Sequence, residues 1–110
     1  MEEILKKIST LNKHFRSTST QSDEVRFLQR MVKLSEEVGE LSEAALCEVD
    51  PNQRKKDRPI DFDAELADVI ITALMLSTGR VKDIINEIDA KLDIVMNRLN
   101  INPQTDQEKV

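Results

Sequence analysis

The stretch Asp61-Phe62-Asp63-Ala64-Glu65-Leu66-Ala67-Asp68-Val69-Ile70-Ile71-Thr72-Ala73-Leu74-Met75-Leu76 decides the fold. Asp61 can cap a helix by accepting from the free N–H groups of its first turn. Gly79 is a good stop for a helix end. No charged residue falls between Val69 and Gly79, and Thr72 is the main polar interruption. A helix that is apolar all round is expected to be buried on all sides. Asp68 stands at the edge of that apolar run. A buried carboxylate there must be paired, protonated or bound to a metal, because an isolated buried charge is very costly.

Outward from this stretch the chain reads as helices. Val81, Ile85, Ile88, Leu92, Val95 and Leu99 alternate steps of four and three, which predicts a helix over 81–99 with an a/d seam. Asn100, Asn102 and Pro103 should end it, and 101–110 reads as a disordered tail. Towards the N-terminus, Val25, Leu28, Met31, Val32, Val38, Leu41, Ala45 and Val49 predict a helix from Asp23 to Val49, capped by Ser22 and ended by Pro51. Ile4, Leu5, Ile8, Leu11 and Phe15 predict a first helix from Glu2 to about Phe15, followed by a polar loop through Ser22. Between the second and third helices lies the one basic cluster, Arg54, Lys55, Lys56 and Arg58. The expected fold is all-α, a single domain over residues 1–100. The helix lengths suit a four-helix bundle or a three-helix core with an N-terminal arm. A chain of 110 residues can hardly enclose both the third helix and the seam of the last, so it is expected to complete its core by oligomerising.

Composition supports this and excludes other classes. Only 3% of residues are aromatic, Trp and Tyr are absent, and there are 2 Gly and 3 Pro, which argues against an all-β fold. A net charge of −5 argues against a protein that coats a nucleic acid polymer, and the missing Trp and Tyr remove the best base-stacking side chains. Cys47 is alone, so the chain can form no internal disulfide and no cysteine-based zinc site, and a reducing cytoplasmic setting is the simplest expectation. The charged N-terminus does not read as a secretory signal, and no apolar run reaches the ~18 residues that span a bilayer.

Most of the 21 carboxylates read as a solvated surface, but two groups stand apart. Glu36, Glu37 and Glu40 project within one sector of the second helix, with Glu43 a turn further on and Lys33 a turn before. Like charges at this spacing destabilise a helix, and Gly39 among them costs about 1 kcal/mol relative to Ala. A glycine in mid-helix often marks a close approach by a backbone or ligand. Glu65 and Asp68 share a face of the third helix. If the two helices pack antiparallel, the acidic faces meet and repel unless a cation joins them. Carboxylates alone are hard oxygen ligands that suit Mg²⁺ or Mn²⁺. His14 is the only histidine and has no partner ligand nearby, so it reads as a surface or helix-end residue, and iron and zinc are disfavoured.

Glu36-Glu37-x-x-Glu40, 24 intervening residues, then Glu65-x-x-Asp68 resembles the all-α nucleoside triphosphate pyrophosphohydrolases of the MazG type. The resemblance spans roughly Leu28 to Leu99. It implies a helical homodimer or homotetramer that needs Mg²⁺, with Mn²⁺ as a substitute. The implied reaction cleaves a nucleoside triphosphate between the α and β phosphates, giving a monophosphate and pyrophosphate, in a nucleotide-pool cleaning role. By motif, Glu37, Glu40, Glu65 and Asp68 would ligate Mg²⁺, and Glu36 would be an additional ligand or would orient the attacking water. Lys91 and Arg98 match phosphate-contacting positions approximately, and Lys55, Lys56 and Arg58 could close over the phosphates. Phe15 and Phe27 are the nearest aromatic candidates for the base, whose identity stays open.

Two other readings compete. Lys33-x-x-Glu36-Glu37-x-x-Glu40 and Glu65-x-Ala67-Asp68 also resemble the phosphoribosyl-ATP pyrophosphohydrolase of histidine synthesis, although the longer basic insert favours the MazG type. A non-catalytic helical interaction module would explain the apolar third helix and the last seam, but adhesion does not need Asp68 opposite a row of glutamates.

Overall fold

The computed structural model describes residues 1–50, 52 and 61–102. The basic cluster of Lys55, Lys56 and Arg58 and the tail from Pro103 onward lie outside the described residues, as do the readings placed on them. The described chain is four helices: α1, Glu2–Thr18; α2, Asp23–Val49; α3, Phe62–Met75; and α4, Val81–Arg98. No strand occurs among the described residues, and no helix is long and apolar enough to cross a membrane.

The caps follow the side-chain chemistry. Ser22 Oγ accepts from the Val25 N–H at 3.2 Å and starts α2. Asp61 Oδ1 accepts from Asp63 N at 3.0 Å and Ala64 N at 3.3 Å and starts α3. Asp61→Ala should therefore lower stability by about 1 kcal/mol, read as a shift in the urea midpoint at unchanged slope. An unshifted midpoint would deny the cap its role. At the end of α4, Asn100 takes a φ of 58°, Ile101 N–H bonds to Met96 O at 2.9 Å, and Asn100 N–H bonds to Asn97 O at 3.1 Å. That pair of bonds closes the last turn over its own carbonyls. α1 runs three residues past the expected Phe15. The hydroxyls of Ser17 and Thr18 bond back to His14 O at 2.8 and 3.1 Å, which keeps these loop-forming residues inside the helix.

α2 and α3 are the main packed pair, and they run antiparallel. Arg30 of α2 donates to Met75 O of α3 at 3.1 Å. Seven residues later on α2, Glu37 meets Asp68, seven residues earlier on α3. Seven residues is nearly two turns, so one face of α2 follows one face of α3 along this length. α1 touches α3 and α4, and α4 rests only lightly on α1 and α3. The small core joins Ile8, Met75 and Val81, with Leu5 and Leu74 against it.

The expectation that α3 is covered all round fails within one chain. Ile70 is 51% exposed, Ile71 40% and Leu66 36%, and Asp68 is exposed with them. The cause is topological. α2 covers one side of α3, and α4 departs after a turn in which Thr78 and Gly79 take φ of 50° and 94°, so it does not close the other side. Among the described residues nothing approaches Gly39 either: a Cβ there would meet no atom of theirs within 4 Å outside its own helix turn. The seam of α4 is open as well, with Ile88, Leu92, Val95 and Leu99 all exposed. The radius of gyration is 17.4 Å. A self-contained globule of this length would have about 13 Å.

Candidate metal centre

The α2–α3 pairing delivers the meeting of acidic faces that the motif spacing anticipates, but it sorts the residues. Glu37, Glu65 and Asp68 each place a carboxylate oxygen within 4.8 Å of the other two. Glu37 is buried, Glu65 half-buried and Asp68 exposed, so the group opens towards solvent on the Asp68 side. Glu40 lies one turn along α2, half-buried, outside this trio. Glu36 points to solvent with its side chain 60% exposed. The helix turns about 100° per residue, so Glu36 and Glu37 cannot both face α3.

Lys33 partly balances the charge. Its Nζ lies 3.2 Å from Glu37 Oε1 and 3.8 Å from Glu36 Oε2. The hydrogen bond to Glu37 raises the Lys33 pKa, and the charges of Glu37, Glu36 and Glu40 add to that against a small loss from desolvation. The ammonium therefore stays charged throughout the physiological range. Sequence reasoning treats Lys33 only as a nearby positive charge. Its i,i+4 spacing to Glu37 is the signal that marks it as a direct partner.

The donor set fits a divalent cation by two observations. The second oxygen of Glu37, Oε2, is buried and has no hydrogen-bond partner. Leaving a buried acceptor unmade costs about 1–3 kcal/mol, more for a charged group. In addition, two like charges about 5 Å apart repel by roughly 3 kcal/mol at an effective dielectric near 20, less on the exposed Asp68 side. A hard cation among these oxygens would relieve both penalties, and an all-oxygen set would suit Mg²⁺ or Mn²⁺ better than zinc.

The other sequence candidates lie apart from this trio. Lys91 sits exposed on α4, 3.8 Å from Glu87 of its own helix, and Arg98 is exposed in the last turn of α4. No contact joins either to the trio. His14 is exposed on α1, its ring edge-on to Phe15 with centroids 5.6 Å apart, as a surface residue would be. Phe15 and Phe27 are both largely exposed rather than core. Lys56 lies outside the described residues. No family model, curated protein or solved structure matches the chain, and the site stands on its own residues.

Proposed function

We propose that the chain is a Mg²⁺-dependent nucleoside triphosphate pyrophosphohydrolase, acting as a homo-oligomer on cytoplasmic nucleotides. The observation that carries this reading is the convergence of Glu37, Glu65 and Asp68 from two helices, with one Glu37 oxygen buried and unmatched. Glu37, Glu65 and Asp68 would hold the ion, with Glu40 the next carboxylate along α2. When bound, Mg²⁺ would neutralise phosphate charge and acidify or position a water.

The chain's own residues have distinct tasks. Burial against α3 fixes the Glu37 carboxylate, and Lys33 holds its other oxygen, so this ligand is preorganised. Asp68, at the open side, meets incoming phosphate from solvent. Glu36 faces water, where it suits the orienting of an attacking water better than the ligation of an ion. An acidic patch of this kind repels a polyphosphate until the cation is in place, so substrate binding should depend on metal.

The test is a panel of ribo- and deoxynucleoside triphosphates with Mg²⁺ or Mn²⁺, plus phosphoribosyl-ATP, scored separately for pyrophosphate and phosphate. Pyrophosphate with a matching monophosphate is the expected product of at least one triphosphate. Turnover of phosphoribosyl-ATP alone would move the assignment to histidine synthesis. No pyrophosphate from any substrate, with no thermal stabilisation by either metal, would leave the interaction-module reading.

A further inference from the structure

A second concentration of charge, of opposite sign, lies at the far end of the same helix pair. A cleft of about 530 Å³ opens between the C-terminal half of α1, the first turns of α2 and the turn after α3. That volume lies in the range of small-molecule sites. Arg16, Arg26 and Arg30 line it together with Asn12 and Thr78. Arg30 shares the α2 face that carries Glu37, about 10 Å further along the axis.

Local structure uses only part of the capacity of these arginines. Arg30 gives Nη1 to Met75 O at 3.1 Å, and Arg16 gives Nη2 to Thr78 O at 3.5 Å, the limit of a hydrogen bond. These bonds cap the carbonyl end of α3. Arg26 gives Nη1 to Gln21 O at 2.8 Å and Nη2 to Asp23. Each guanidinium carries five N–H donors in a planar fork, so most donors of the three remain uncommitted. Helix capping needs one cation; three side by side repel one another. Burial chiefly, and after it the charges of Arg26 and Arg16, lower the Arg30 pKa.

Asn12 is the second observation. It is only 4% exposed and lines the cleft. It follows Ile8 by one turn on the inward face of α1, where an apolar residue would pack better. An amide in the wall of the cleft, beside three guanidinium groups, can donate to the acceptor oxygens of a bound molecule. Asp23 and Glu24 also line the cleft and offset part of its charge. Both are exposed, and the Asp23 carboxylate that Arg26 holds is 88% exposed. The Arg26 side chain of that pair is only 15% exposed, but its carboxylate partner stands in solvent, where a better anion can compete for the guanidinium.

We infer that this cleft binds a small phosphate-bearing molecule, held by the guanidinium forks of Arg16, Arg26 and Arg30 and by the Asn12 amide. Phosphate oxygens match the fork geometry bidentately and satisfy several donors at once. The site is separate from the carboxylate trio and needs no metal, so it stands whether or not the chain is a hydrolase.

The experiment is calorimetric titration of the full chain with inorganic phosphate and with pyrophosphate in EDTA, against chloride at matched ionic strength. EDTA prevents a metal from bridging the anion to the carboxylates. Arg16→Gln combined with Arg26→Gln, both away from the core, should weaken binding at least about tenfold, as the loss of charge-assisted bonds implies. Arg16→Gln alone gives the same direction if the double variant loses helicity. Arg26→Lys should recover part of the loss, since it keeps charge but not the fork. Saturable heat with either anion that falls in these variants supports the site. No saturable heat beyond chloride, or wild-type binding by the folded variants, would overturn it.

Discussion

Asp68→Asn is expected to lower Mg²⁺-dependent pyrophosphate release by at least about 100-fold while leaving the fold intact. Outer partners of metal ligands already cost roughly 10–100-fold when removed, which sets a floor for a ligand itself. Asn is nearly isosteric, and Asp68 is exposed, so its replacement has little packing to disturb. The sign of the stability change is also informative. Without metal, removing one charge from three carboxylates within 4.8 Å relieves repulsion, so melting in EDTA should be unchanged or slightly higher. On the proposed reading Mg²⁺ stabilises the wild type against heat, and in Asp68→Asn that gain should shrink or vanish. Glu37→Gln tests the same site less cleanly, because Glu37 is buried and bonded to Lys33 at 3.2 Å, so fold and function change together. Wild-type turnover by a folded Asp68→Asn protein would sink the metal assignment.

Helix boundaries were legible wherever a side chain punctuates the backbone. Ser22 and Asp61 announce α2 and α3 because their oxygens match the first free N–H groups, and both bonds form. The end of α1 was less legible: Ser17 and Thr18 suit loops and helix ends alike, and here their hydroxyls bond back into the helix. That Glu65 and Asp68 share a face could be read from their i,i+3 spacing, whereas their meeting with Glu37 needs the antiparallel packing of α2 and α3. How that face divides was not readable. Glu36 and Glu40 carry the same chemistry as Glu37, and only the rotation of α2 against α3 separates them. The arginine cleft was hidden for a different reason. Arg16, Arg26 and Arg30 come from two helices and look like ordinary surface charge until the turn after α3 gathers them. The chain itself does not cover α3, and this was not readable because hydrophobicity says that a face needs cover and is silent about what supplies it.

That missing cover yields the second large prediction. The apolar faces left open are Leu66, Ile70 and Ile71 on α3 with Ile88, Leu92, Val95 and Leu99 on α4, while among the described residues the buried apolar side chains are only Ile8, Ala44, Met75 and Val81. So small a core falls short of the conformational entropy of ordering four helices. A second copy of the chain is expected to supply the rest, with sedimentation showing a dimer or larger at micromolar concentration and a melting temperature that rises with concentration. Ile71→Asp or Leu92→Asp should dissociate it. Burying one such side chain is worth about 1.5–3 kcal/mol, and two-fold symmetry presents each substitution twice. The loss of roughly 3–6 kcal/mol per dimer weakens association by about 100-fold or more, before the cost of burying the carboxylate is added. Because so little of each helix is covered within the chain, the dissociated variants should also lose helicity rather than persist as compact monomers. A wild-type chain that sediments as a stable monomer, with a melting temperature independent of concentration, would show that these faces are tolerated in water and that the fold closes without a partner.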